Sequence, residues 1–185
     1  MRKNVTNILV TGPPGCGKST LIIRIVGKLT VRARGFTTAE IRSQDGIRKG
    51  FRITTIDGAE GILSHKDLRE GPRVGRYRVN LKDLDSIGTA EIEKALDDPL
   101  TALIVVDEIA RMELSSRNFK GAVTRALDSQ KLLLGTIQQR RSPFLDAVRE
   151  REDTVVVTIE RGRLDEDERH VMSFLMRLLG PEHLL

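Results

Sequence analysis

The sequence predicts an α/β fold in which helices cover both faces of a mostly parallel β-sheet. The first reason is that four apolar runs are near-continuous rather than alternating, as expected of strands buried on both faces. These runs cover residues 8–10, 102–106, 132–134 and 155–159. The second reason is that segments with helical apolar spacing lie between them. Strands that alternate with helices in this way are typical of a doubly wound sheet.

The helical segments follow in chain order. The first has an apolar stripe at 21, 22, 25, 26 and 29, and a second stripe covers 119–127, with Ser115 or Ser116 available as its N-cap. The last helix begins with four acidic residues at 165–168, which favour the positive end of a helix, and Gly180-Pro181 ends it. Two shorter helices are expected at 89–96 and 143–149.

The segment from 33 to 81 differs from the rest of the chain. It holds seven glycines, and residues 51–56 alternate with a period of two, as a half-buried strand does. Asp45-Gly46 and Asp57-Gly58 are turn signals. We therefore expect a β-rich insertion whose antiparallel hairpins extend one edge of the sheet and make it mixed. Residues 1–185 are expected to form a single domain, since no linker or repeat is visible.

The most specific signal is the segment at 12–19, which reads G-P-P-G-C-G-K-S. It matches the phosphate-loop pattern G-x-x-x-x-G-K-[ST] in full, and it lies between a predicted strand and a predicted helix. Backbone N–H groups of such a loop surround phosphate oxygens, and the helix behind presents its positive dipole end. We expect Lys18 to reach the β- and γ-phosphates and the Ser19 hydroxyl to bind Mg²⁺. The expected nucleotide-binding residues are Gly12, Pro13, Pro14, Gly15, Cys16, Gly17, Lys18, Ser19 and Thr20.

Two carboxylates, Asp107 and Glu108, follow the apolar run at 102–106. The carboxyl end of such a strand lies at the crevice where phosphates bind, so Asp107 is placed to hold Mg²⁺. Glu108 can orient and deprotonate a water molecule in line with the γ-phosphate. A kinase, which must exclude water, has less use for that second carboxylate. The pair therefore favours hydrolysis.

Further candidate site residues are indicated by single positions rather than by a motif. Arg42, Arg48 and Arg163 are candidates for neutralising the charge that develops in the transition state. Glu113 either supports the site or forms an ion pair with Arg111, and Gln138 follows a strand tip from which it can sense the γ-phosphate.

Composition narrows the function classes. The chain has 185 residues and a net charge of +5, but only 3% aromatic residues, so a base-stacking surface and nucleic-acid binding are not expected. No apolar run approaches the roughly 20 residues of a membrane span. The first residues lead directly into a predicted strand and leave no room for a signal peptide, which predicts a cytoplasmic protein. The three histidines lack metal-ligand spacing.

Four segments of the chain resemble a known family, the small nucleoside-triphosphatases first described from thermophilic prokaryotes, whose vertebrate member is called cancer-related nucleoside-triphosphatase. The segments occur in the family's order and at similar spacing. They are T-G-P-P-G-C-G-K-S-T-L at 11–21, G-F-T-T-A-E-I-R at 35–42 with G-F at 50–51, V-G-R-Y-R-V at 74–79, and V-D-E-I-A-R-M-E-L at 106–114 with Ser116 and G-T-I at 135–137.

The resemblance implies a P-loop NTPase fold and Mg²⁺-dependent hydrolysis of several nucleoside triphosphates. We expect ATP, GTP, CTP and UTP as substrates and, separately from the resemblance, a monomeric protein. The resemblance also implies an active centre of Lys18, Ser19, Asp107 and Glu108, and it strengthens the case for Glu40 and for Arg42 as a catalytic residue. The chain departs from the family where Ala110 and Arg111 replace the usual Gly and Lys, and where 160–163 reads E-R-G-R instead of holding an Asn-Arg pair.

Two alternatives stay open from the sequence. A nucleotide or nucleoside kinase also uses a phosphate loop in a small α/β domain, and the arginine-rich segment 69–78 has the composition of a lid. A nucleotide-dependent, RNA-associated binding module is the other alternative. A guanine-specific GTPase switch is disfavoured, because no N-K-x-D signature follows the acidic strand.

Overall fold

The computed structural model describes residues 5–184, which form one continuous nine-stranded sheet and six α-helices. The strands are β1 (Asn7–Thr11), β2 (Ala33–Arg42), β3 (Arg48–Thr55), β4 (Glu60–His65), β5 (Arg73–Val74), β6 (Tyr77–Val79), β7 (Leu103–Ile109), β8 (Leu132–Ile137) and β9 (Thr154–Thr158). The helices are α1 (Lys18–Val26), α2 (Leu81–Asp83), α3 (Ala90–Asp97), α4 (Arg117–Asp128), α5 (Pro143–Arg149) and α6 (Leu164–Leu179). A π-helical segment (Leu84–Thr89) joins α2 to α3. Short 3₁₀ turns occupy Glu113–Ser115 and Pro181–His183.

The sheet has a parallel part and an antiparallel part. Its strand order is β5-β6-β4-β3-β2-β7-β8-β1-β9, and the five strands from β2 to β9 in this order are parallel to their neighbours. Strands β3, β4, β6 and β5 add an antiparallel extension beyond β2. Because parallel strands share one carboxyl edge, the ends of β1, β7 and β8 meet there.

Helices cover both faces of the parallel part, as predicted. Alternate residues of β1 show this directly: Ile8 and Val10 pack with α1 and α6, while Leu9 packs with α3, α4 and α5 on the opposite face. All three side chains are fully buried. Strands that are covered on both sides need apolar residues at successive positions, which is why their sequences do not alternate.

The helix ends also follow local sequence. Ser116 is the N-cap of α4, and its hydroxyl accepts a hydrogen bond from the Phe119 N–H at 3.1 Å. Ser142 caps α5 in the same way, with proline at the first helical position. Gly180 ends α6 with a φ of 96°. No helix among residues 5–184 has the length and apolar character needed to cross a membrane.

The helix expected at 89–96 is present as α3, which directly follows α2 and the π-helical segment. One expectation needs correction. The insertion at 33–81 is indeed an antiparallel extension, but its first strand, β2, lies within the sheet and pairs in parallel with β7. Gly35 permits this contact: its φ is 130°, and a Cβ there would lie 1.9 Å from the Val105 carbonyl oxygen.

Candidate nucleotide-binding site

The loop between β1 and α1 forms a compact cradle at the carboxyl edge of the sheet. Gly15 and Gly17 have φ values of 71° and 107°, which a side chain would strain. Gly12 permits a close approach, because a Cβ there would lie 2.5 Å from the Ile159 carbonyl oxygen. These glycines let the chain turn directly into α1, so the N-terminus of that helix faces the cradle.

Lys18, the first residue of α1, bends back over the loop. Its Nζ donates hydrogen bonds to the carbonyl oxygens of Gly12 at 3.1 Å and of Pro13 at 3.5 Å. The same atom lies 3.8 Å from Oε1 of Glu108, at the end of β7. The side chains of Lys18 and Glu108 are 13% and 26% exposed, so the pair is partly shielded from water. The structure therefore joins the two sequence motifs at one point.

Asp107 is buried beside this pair, with 1% of its surface exposed. Oδ1 accepts a hydrogen bond from the Thr136 hydroxyl at 2.6 Å, and Oδ2 accepts one from the Thr38 N–H at 3.3 Å. Burial raises the pKa of Asp107, while hydrogen bonds from Thr136 and from the Ser19 side chain lower it. Neighbouring strands β8 and β2 thus fix the carboxylate next to the Ser19 hydroxyl.

Glu108 has an unusual protonation equilibrium. Burial raises its pKa to about 7, the nearby charge of Lys18 lowers it, and the charge of Asp107 raises it again. A carboxyl group with a pKa near neutrality is suited to accept a proton from water at physiological pH.

Glu113 is a second buried carboxyl near Glu108, and 3% of its surface is exposed. It accepts hydrogen bonds from its own N–H and from that of Ala110, while Oε2 has no hydrogen-bond partner. Burial, followed by the charge of Glu108, raises its pKa well above the ordinary value. The ion pair with Arg111 that the sequence left open does not form within the part of the chain that the structure describes.

The donor set is compatible with Mg²⁺. Residues 5–184 contain no group of three or more His, Cys, Asp or Glu side chains able to hold a metal alone. Mg²⁺ does not require one, because it binds through one or two protein oxygens together with substrate phosphates and water. Ser19 and Asp107 supply two such oxygens side by side, next to the phosphate loop.

Comparisons with known proteins agree with this geometry. The family model described as NTPase matches residues 7–172. The chain belongs to the NTPase family. It is 42% identical over 168 residues to nucleoside-triphosphatase THEP1 of Thermotoga sp. strain RQ2, covering 91% of this chain and 94% of that protein.

Two solved structures of the NTPase family share the fold. The crystal structure of THEP1 from Aquifex aeolicus gives a TM-score of 0.82 at 32% identity, over 91% of this chain and 98% of that one. The solution structure of a human cancer-related nucleoside triphosphatase gives 0.72 at 30% identity, over 97% and 99% of the two chains. The resemblance read from the sequence and the α/β fold class are therefore confirmed.

The arginines singled out in the sequence have other partners in this NTPase-family chain. Arg42, at the end of β2, is 56% exposed and donates to the Gly46 carbonyl oxygen at 2.6 Å and to Glu40. Arg48 donates to Glu40 at 2.6 Å and to the Tyr77 hydroxyl at 3.0 Å. None of these contacts of Arg42 and Arg48 is with the phosphate loop.

Arg161, which follows β9, is a residue that sequence reasoning missed. Arg163, the candidate that the sequence had indicated, forms an ion pair with Glu166 at 2.6 Å on the first turn of α6. Arg161, by contrast, donates to the Pro14 carbonyl oxygen at 3.3 Å and lies against Gly15. The segment 160–163 offers two arginines, and only the fold tells which one reaches the loop. Thr38 and Thr136 were also missed as partners of Asp107, although both lie in segments that carry the family resemblance.

Proposed function

We propose that this chain hydrolyses nucleoside 5′-triphosphates to the diphosphate and phosphate, with Mg²⁺ as cofactor. Membership of the NTPase family supports the proposal, as does the name nucleoside-triphosphatase carried by the relative from Thermotoga. The complete phosphate loop and the carboxylate pair supply the chemistry. No observation favours the kinase or the RNA-associated alternative.

Binding begins at the phosphate loop. The N–H groups of residues 15–19 and the N-terminus of α1 attract the triphosphate, and Lys18 neutralises charge on its terminal groups. The Lys18 ammonium group exchanges its carbonyl partners, Gly12 and Pro13, for phosphate oxygens. A hydrogen bond from the ammonium group to an anionic phosphate oxygen is stronger than one from the same group to a neutral carbonyl oxygen.

Ser19 and Asp107 would hold Mg²⁺. When bound, the ion neutralises charge on the phosphate oxygens and helps to orient them. Thr136 and Thr38 keep the Asp107 carboxylate in one orientation, since each of its oxygens accepts a hydrogen bond.

Glu108 acts as the general base in this proposal. Its carboxylate takes a proton from a water molecule whose oxygen attacks the γ-phosphorus in line with the departing β–γ bridging oxygen. The new P–O bond forms as the bridging P–O bond breaks, and the electron pair of that bond stays on the diphosphate. Lys18 lies where it can stabilise this developing charge.

The single observation that carries the proposal is the 3.8 Å distance between Lys18 Nζ and Glu108 Oε1. Lys18 marks the position of the β- and γ-phosphates in phosphate loops. A carboxylate at that distance from the ammonium group is within reach of a water molecule next to the γ-phosphate.

The test is release of inorganic phosphate from ATP, GTP, CTP and UTP with Mg²⁺. Glu108→Gln should bind nucleotide as wild type does but lose about 10²-fold or more in kcat, the effect of a lost general base. Glu70→Gln is the matched control, because Glu70 is an exposed glutamate that lies in neither the phosphate loop nor the carboxylate pair. If Glu108→Gln turned over at the wild-type rate, the general-base role would be wrong.

Several finer predictions belong to the same proposal. Broad base specificity and a monomeric enzyme are expected, as are a cytoplasmic location, no nucleic-acid partner and one domain that includes 33–81. Arg42 stays a candidate transition-state residue that would have to exchange Glu40 for phosphate. Arg42→Ala tests this role, since a transition-state arginine is expected to affect kcat far more than KM.

A further inference from the structure

A second cleft lies beside the phosphate site. It is bounded by the turn after β7, by α4 and by the loop between β8 and α5, and its volume is about 540 Å³. Small-molecule sites typically range from roughly 300 to 1,000 Å³. Its lining includes none of residues 12–19, so it is separate from the phosphate loop. We refer to it as the β8–α5 cleft.

Three cationic side chains line the β8–α5 cleft: Arg111, Lys120 and Arg140. All three are exposed, and none has an acidic partner within residues 5–184. The next residue in the chain, Arg141, differs in having an acidic partner. It pairs with Asp146 at 3.0 Å and does not line the cleft. Three uncompensated positive charges around one concavity favour a ligand with a doubly charged anionic group.

The remaining walls of the cleft are apolar. Leu114 and Phe144 lie there, both partly buried against the core that α4 and α5 share. A partly exposed aromatic ring next to an aliphatic side chain favours a flat, apolar ring in the ligand. The combination of anionic group and flat ring excludes inorganic phosphate as the best occupant, because phosphate would leave this surface uncovered.

Gln138 adds a polar group for orientation. Its Oε1 accepts a hydrogen bond from the Arg111 N–H at 3.3 Å, and its own N–H donates to the Ile109 carbonyl oxygen at 3.2 Å. The side-chain amide nitrogen is left without a partner in the described part of the chain, so it is free to donate to the edge of a bound ring or to a sugar. These two bonds also fix the cleft next to the segment that follows Glu108.

We propose that the β8–α5 cleft binds a nucleoside monophosphate, with its phosphate among Arg111, Lys120 and Arg140 and its base against Leu114 and Phe144. This second site is independent of the phosphate loop and of the proposed hydrolysis.

The test uses a Lys18→Ala background, in which the phosphate loop has lost its lysine. Equilibrium dialysis with radiolabelled AMP should show one bound nucleotide per chain. Adding Lys120→Gln and Arg140→Gln together should weaken AMP binding at least tenfold. Adding Arg141→Gln, the matched control in the same loop, should leave it unchanged. All three substituted side chains are exposed, and thermal melting should confirm that each variant is folded.

Competition by the two parts of AMP, adenosine and inorganic phosphate, is the second part of the test. Adenosine and inorganic phosphate should each compete more weakly than AMP, because each satisfies only one half of the cleft. The proposal is overturned if AMP fails to bind the Lys18→Ala protein, or if Arg141→Gln weakens binding as much as the combined Lys120→Gln and Arg140→Gln substitutions do. It is also overturned if phosphate alone competes as well as AMP, which would mean a simple anion site. Hydrolysis by the wild-type protein is measured separately and has no bearing on these outcomes.

Discussion

Replacing Glu108 by glutamine should make the folded chain more stable, and the gain should depend on pH. Glu108 has a pKa of about 7 in the folded chain against an ordinary value of 4.5. As pH rises above 4.5, the unfolded chain releases this proton while the folded chain keeps it until about pH 7. The free energy of unfolding therefore falls across this window and remains lowered above it.

The magnitude follows from the two pKa values. Since a tenfold change in proton affinity corresponds to about 1.4 kcal/mol, ionisation of Glu108 costs the fold about 1 kcal/mol at pH 5 and about 3 kcal/mol at pH 8. Glutamine cannot ionise and carries no such cost. The stability difference between Glu108→Gln and wild type should thus grow by about 2 kcal/mol from pH 5 to pH 8. The Glu108 charge also raises the pKa of Glu113. Removing that charge by the substitution therefore adds to the stability gain.

Urea unfolding at pH 5, 6, 7 and 8, without nucleotide or metal, measures this difference. Glu70→Gln, which removes an exposed carboxylate, serves again as the control. A Glu108→Gln gain that stayed constant from pH 5 to pH 8 would refute the reasoning, since it would mean that Glu108 titrates alike in the folded and unfolded chains.

Three further outcomes are expected. Thr136→Val removes the hydrogen bond to Asp107 and should raise the Mg²⁺ concentration needed for half-maximal phosphate release; an unchanged Mg²⁺ titration would contradict this. Gly35→Ala brings a Cβ to 1.9 Å from a backbone oxygen of β7 and should cost more than about 3 kcal/mol in urea unfolding. The control Gly46→Ala, with nothing within 4 Å, should cost about 1 kcal/mol, and equal losses would count against the packing argument. Finally, kcat/KM should fall about tenfold per pH unit below pH 7, because only ionised Glu108 accepts a proton; a flat profile from pH 5.5 to 7 would argue against this role.

The parallel part of the fold could be predicted because its signals are local. Strands buried on both faces leave an uninterrupted apolar run, and Ile8, Leu9 and Val10 are buried in succession for that reason. The phosphate loop is likewise contained in eight consecutive residues, and glycine at 15 and 17 is required by their backbone angles. Both features are written in short stretches of chain and need no knowledge of distant contacts.

The missed features depend on contacts between distant segments. Arg161 and Arg163 are two residues apart and chemically identical, yet only Arg161 reaches Pro14, which is 147 positions away in the chain. Which arginine side chain points towards the phosphate loop depends on how the chain leaves β9 and enters α6, where Glu166 pairs with Arg163. The position of β2 inside the sheet is decided in the same way, by its pairing with β7, whose residues lie 70 positions further along the chain. Composition of the segment 33–81 indicates hairpins but not which strand borders the core.

In the proposed mechanism, the position of Lys18 links nucleotide binding to the proton affinity of Glu108. Without nucleotide, its ammonium group is shared between two loop carbonyls and Glu108, and its charge lowers the pKa of that carboxyl. In the proposed mechanism, a triphosphate would draw the same ammonium group towards its phosphate oxygens. The positive charge that lowers the pKa of Glu108 would then lie further away, so Glu108 would be a stronger base in the complex. At 3.8 Å, the position of the Lys18 charge is close enough to control the proton affinity of Glu108, which is what this proposed coupling requires.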